Sequence, residues 1–175
     1  MSTIEAVALD LAAMNNGLDK ARQATAAADD TAQKIATQAA GAGFTGIAQN
    51  LSRLRAAIRE IQTGIAAAGG PVGETSAAIA TVPKQATPQE TRSVLEPVTQ
   101  KLDGIHAAIA AVMEAITKAQ QLAVAILEGG QPGPMLARLD AIRQTMLAVA
   151  ERNNQTKQHL TDALAAARTT GDQGN

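Results

Sequence analysis

The sequence predicts an all-α fold, an elongated antiparallel four-helix bundle made of two long helical hairpins. Three observations predict it. Apolar residues recur at alternating spacings of three and four in four separate segments, a 3.5-residue period that marks a coiled-coil-like seam. Short strings of glycine and proline divide those segments, and short connections make successive helices antiparallel. The composition is 46% hydrophobic but only 1% aromatic, with a single Phe and no Trp or Tyr. A core of that kind is built from Ala, Ile, Leu, Val and Met, as suits long regular helices.

The first seam runs through Ile4, Val7, Leu11, Met14, Leu18, Ala21, Thr25, Ala28, Ala32, Ile35 and Ala39. Ser2 and Glu5 have the spacing of a capping box at its start. The second seam is Ile47, Leu51, Leu54, Ile58, Ile61, Ile65, Ala68, Val72, Thr75, Ile79 and Val82. Gly69-Gly70-Pro71-Val72-Gly73 falls inside it and predicts a kink. Leu95, Val98, Leu102, Ile105, Ile109, Val112, Ile116, Ala119, Ala123 and Ile126 form the third. Thr87-Pro88-Gln89-Glu90 starts that helix with an N-cap, Pro at N1 and Glu at N3, and Pro97 should bend or restart it. The fourth seam is Met135, Leu139, Ile142, Met146, Val149, Asn153, Thr156, Leu160, Ala163 and Ala167.

These segments make one domain over residues 1–170: hairpin 1 over 2–82, a linker at 83–88, hairpin 2 over 89–169, then a disordered tail at 170–175. Folding the first hairpin at Gly43 sets Ala32 against Leu54, Ala28 against Ile58 and Ala21 against Ile65. Small residues then face large ones along the seam, which lets the backbones approach closely. Folding the second within Gly129-Gly130-Gln131-Pro132-Gly133-Pro134 sets Ile126 against Leu139 and Val112 against Asn153. An Asn at that position either fixes register or sits on a solvated flank.

The inventory of reactive groups points away from an enzyme and from cofactors or metals. There is no cysteine, and the two histidines, His106 and His159, share a height in the second-hairpin register but lie on opposite flanks. No phosphate loop, nucleophile elbow or Glu-x-x-His pair occurs in the sequence. A formal net charge of -1 supplies no field for nucleic acid or an anionic membrane. Arg53, Arg55 and Arg59 form a small basic patch, offset by Glu60 and without aromatics to stack bases. The N-terminal residues lack a basic and apolar signal pattern, and no stretch reads as a transmembrane segment. The protein is therefore expected in the cytoplasm, or exported without a cleaved signal peptide.

Phe44-Thr45-Gly46 is the candidate partner-binding element, because the one aromatic of the chain stands in the first hairpin turn. Phe44 either plugs the end of the core over Ile47 or anchors a partner. Two helices of about forty residues joined by this aromatic-x-Gly turn resemble the Trp-x-Gly helical hairpins of type VII (ESX) secretion, with Phe in the place of Trp. The whole chain also resembles an uncharacterised actinobacterial all-helical family, through Gly41 to Phe44 and Gly129 to Pro134. The first resemblance implies a partner or adaptor of a secretion or toxin system, and the second implies no known activity; the expected function is a non-enzymatic protein–protein interaction module, monomeric or homodimeric. An amphipathic coat on lipid or storage granules is the alternative, since seams of this kind can open onto a surface.

Overall fold

The protein is described by a computed structural model over residues 3–83, 86–127 and 132–172, with side chains to residue 169. It folds as four helices: α1 (Thr3–Gly41), α2 (Thr45–Ala80), α3 (Pro88–Ile126) and α4 (Gly133–Asp172). Each helix packs on two neighbours around a ring, α1 on α2 and α4, α3 on α2 and α4, and among the described residues the diagonal pairs are not adjacent. That is the four-helix bundle expected from the seams.

The core is made of the residues at alternating three- and four-residue spacing. Leu11, Met14, Leu18, Leu51, Leu54, Ile58, Ile61, Ile65, Leu95, Leu102, Ile105 and Ile116 are fully buried, with Ala21, Ala28, Ala32, Ala68, Ala119 and Ala123 between them. Burial of those apolar side chains is what holds the helices, at roughly 1.5–3 kcal/mol for each large one before entropy is counted. Three buried threonines, Thr25, Thr75 and Thr156, sit in the same seams. Each hydroxyl donates to the carbonyl four residues back in its own helix, so none leaves a donor stranded.

Helix ends follow local chemistry. At the start of α3 the Thr87 hydroxyl accepts from the Glu90 amide at 3.2 Å, and a Glu90 carboxylate oxygen accepts from the Thr87 amide at 2.8 Å. With Pro88 at the first helical position, the expected capping box is complete. The corresponding Ser2–Glu5 box lies partly outside the described residues. α2 runs unbroken through Gly69–Gly73, and α3 unbroken through Pro97, which does not restart it. The carbonyls that these prolines strand belong to Ala67 and Ser93, both on exposed positions where solvent can satisfy them. α4 continues to Asp172, beyond the start expected for a tail at 170; residues 173–175 lie outside the description.

The first hairpin pairs as the sequence suggests, with Arg55 of α2 gripping Asp29 of α1 through two bonds of 2.8 and 3.0 Å and also bonding Gln33. The second hairpin does not. Lys157 reaches Asp103 at 2.7 Å, and Asn153 donates to the Leu102 carbonyl at 3.3 Å. Asn153 therefore lies about two turns from Val112, whose methyl instead points at Gly64 of α2. The fold point was placed too late because Pro134 was counted as part of the turn. It belongs to the first turn of α4, where its missing amide costs nothing.

The hairpins are also staggered along the bundle. Glu60 pairs with Lys118 at 3.0 Å. Fifteen residues separate Glu60 from the start of α2, but only eight separate Lys118 from the end of α3. A Cβ built on Gly17 would meet Val149, which places those residues side by side. Gly17 is twenty-four residues from the end of α1, while Val149 is sixteen from the start of α4. Both comparisons leave the ends of α1 and α2 projecting past those of helices α3 and α4 by about two turns, roughly 10 Å. At the other end Glu74–Lys101 and Gly17–Val149 give the reverse step, with α3 and α4 projecting by a similar length.

Candidate functional site

The projecting tip is built by a glycine. Gly43 has φ +81°, a left-handed conformation that costs a Cβ-bearing residue energy, and it ends α1. The Gly43 amide donates to the Ala40 carbonyl at 3.1 Å, and the Phe44 amide to the Ala39 carbonyl at 2.8 Å, the paired bonds of a Schellman stop. Phe44 then occupies the N-cap of α2, with no side-chain bond to the helix. An N-cap normally carries Ser, Thr, Asp or Asn, whose oxygen satisfies an orphan amide; a phenyl ring cannot.

The ring is 60% exposed, and Ile47 one turn on is 39% exposed. With most of its ring in solvent, Phe44 does not cover the end of the core among the described residues, as the plug reading would require. Thr45 and Gly46 are exposed beside it. All three predicted site residues thus share one protruding apolar tip.

A second constellation was missed by reading the sequence. Asp10 of α1 is 5% exposed, and its carboxylate is held by two side chains of α4, Arg152 at 3.2 Å and His159 at 2.9 Å. The cluster joins the first and last helices. Turns in the sequence specify pairing only within a hairpin, so no local pattern sets Asp10 against His159. Its signal was a charge directly beside seam residue Leu11, matched by a His directly beside Leu160. His106 is exposed on α3 and shares no height with His159 once the second hairpin is correctly registered.

One arginine of the basic patch is taken up by structure. Arg55 is committed to Asp29, whose carboxyl that hydrogen bond, aided by the charges of Arg55 and Arg59, holds below the usual carboxylate range against its partial burial. Asn153 is completely buried, which excludes the solvated-flank reading, and its Oδ1 has no partner among the described residues. Among the described residues one helix, α3, has the length and composition to cross a membrane, with 28% of its most apolar window buried, and no clear transmembrane segment is shown.

Comparison with curated proteins and with solved structures finds no match. Residues 86–172, which span the second hairpin, match a family of unknown function (DUF6244). Through that hairpin the chain is similar to an uncharacterised family.

Proposed function

We propose that the chain is a non-enzymatic interaction module that engages a protein partner through the tip of its first hairpin. The observation that carries this reading is Phe44, which breaks two local rules at once: an aromatic stands where a capping side chain belongs, and it faces solvent. Residues that depart from local preference without a structural return are candidates for function. A phenyl ring also buries a large area with few rotatable bonds, which makes it an efficient anchor. Assignment to a type VII-like secretion or toxin system rests on the resemblance of Phe44-Thr45-Gly46 to the aromatic-x-Gly turn.

The test is Phe44→Ser, assayed for partner capture from extracts of the native cell and for thermal stability. Partner capture should fall at least about tenfold, consistent with loss of an anchor. The melting temperature should hold or rise, because Ser restores a cap worth about 0.5–2 kcal/mol. Unchanged capture would end the proposal.

A coat on lipid or storage granules is favoured by one observation, the apolar outer surface of α3. Ala107, Ala110, Ala111 and Ala125 are exposed there, with Val124 at 50%. Flotation with liposomes decides between the readings: co-flotation that survives Phe44→Ser would favour the coat.

A further inference from the structure

Three of the four seams between neighbouring helices are bridged by opposite charges. Arg55–Asp29 spans α1 and α2, Glu74–Lys101 and Glu60–Lys118 span α2 and α3, and Lys157–Asp103 spans α3 and α4. Among the described residues the α1–α4 seam is bridged at one end alone, where Arg152 and His159 hold Asp10. Beyond that end lies an open trough of about 430 Å³. It is lined by Ala13, Asn16, Gly17 and Lys20 of α1 and by Thr145, Ala148, Val149 and Arg152 of α4. A helix repeats its faces about every seven residues, so the same flank continues through Ala24 and Ala27 on α1 and through Ala141 and Arg138 on α4. None of these residues is acidic. Lys20 and Arg138 are exposed, and neither has an ion pair among the described residues. With Gly17 level with Val149, Arg152 lies three residues to one side, Lys20 three to the other and Arg138 eleven. The three cations therefore follow one another at intervals of roughly two turns, about 10 Å each.

We propose that the α1–α4 trough docks an acidic helix of a partner protein, one with a carboxylate every seven residues along the face it presents. Charge complementarity selects the occupant. Side chains seven apart on a helix stand about 10 Å apart on one face, the same interval as Arg152, Lys20 and Arg138. The small side chains of the floor let a helix backbone settle close, with Ala or Leu between the acids to fill the trough. A nucleic-acid strand lacks this match, since its charges come at about 3.4 Å and its bases find no aromatic to stack on. The surface is separate from the tip around Phe44, so it adds a second contact to the proposed function and does not depend on it.

The probe is a labelled Ala- and Leu-based helical peptide with one Glu per heptad on a single face, titrated into the full chain by fluorescence anisotropy. Binding should saturate at one peptide per chain and weaken with added salt. The Lys20→Glu/Arg138→Glu chain should lose at least about tenfold in affinity, because attraction becomes repulsion at both positions. A peptide with Lys in place of Glu should then bind that chain. Ala148→Phe should weaken binding of the original peptide by filling the trough with the charges unchanged. All three positions are exposed, so the melting temperatures should stay level. No saturable binding, or full binding by either variant, would overturn the proposal. Equal affinity for an anionic vesicle or a single-stranded oligonucleotide would also overturn it, because a general anion surface needs no helix. Phe44→Ser should leave peptide binding intact, which separates failure at the trough from failure at the tip.

Discussion

A single side chain decides the outcome at several places in this bundle. Gly64 meets Val112 so closely that an added Cβ would lie 2.6 Å from a valine methyl. Valine is stiff at χ1 and cannot swing away. Gly64→Ala should therefore destabilise by about 1–3 kcal/mol through overpacking, less the helix-propensity gain of about 1 kcal/mol. Gly70 is helical with nothing near its Cβ position, so Gly70→Ala should stabilise by up to about 1 kcal/mol. Urea melts of the two variants should move in opposite directions. Asn153 presents a similar contrast. Its amide reaches the Leu102 carbonyl, but Oδ1 is buried without a donor among the described residues, a situation worth about 1–3 kcal/mol of penalty. Asn153→Leu should raise the urea midpoint, and a fall would show that the acceptor is satisfied. The Ala and Ile seam positions were legible from spacing alone, because a helix repeats its buried face. Asp10 was not, because its partners lie some 140 residues away in sequence and belong to a helix pair that no turn connects.

Helices α2 and α3 each carry a proline, yet both are continuous. What the prolines remove is local hydrogen bonding, so amide exchange should be faster at Gly69–Gly73 and just around Pro97 than at the flanking turns. Uniform protection across α2 would contradict this. Helix identity and order were readable in the sequence, since four long periodic runs leave little alternative. Register within the second hairpin was not, because a proline can end one element or begin the next, and only the packing of α4 against α3 separates the cases. In the first hairpin a left-handed glycine marks the turn without ambiguity.

Among the described residues, three carboxylates are held below their ordinary values and contribute to the behaviour of the whole molecule in acid. Asp29 is lowered by its hydrogen bond from Arg55, Glu74 by that from Lys101, and Glu90 by the Thr87 amide. A folded value below the unfolded one means the stabilisation is complete above the ordinary carboxylate values, about pH 4. It is lost as pH falls through the folded values. The melting temperature should stay level from pH 7 to about 5 and drop below about 4, more shallowly in Arg55→Met, where the Asp29 share is already gone. The tip and the stagger show how sequence and structure divide the information. Phe44 stood out by its rarity, whereas the overhang that exposes it follows from inter-hairpin register, which no local pattern encodes. The single phenyl ring also has an optical consequence. With no Trp or Tyr, the chain has almost no absorbance at 280 nm, and its only aromatic near-ultraviolet signal arises at the tip. A Phe44→Trp chain would thus report through one fluorophore, with no background from the core, on whatever comes to rest against that end.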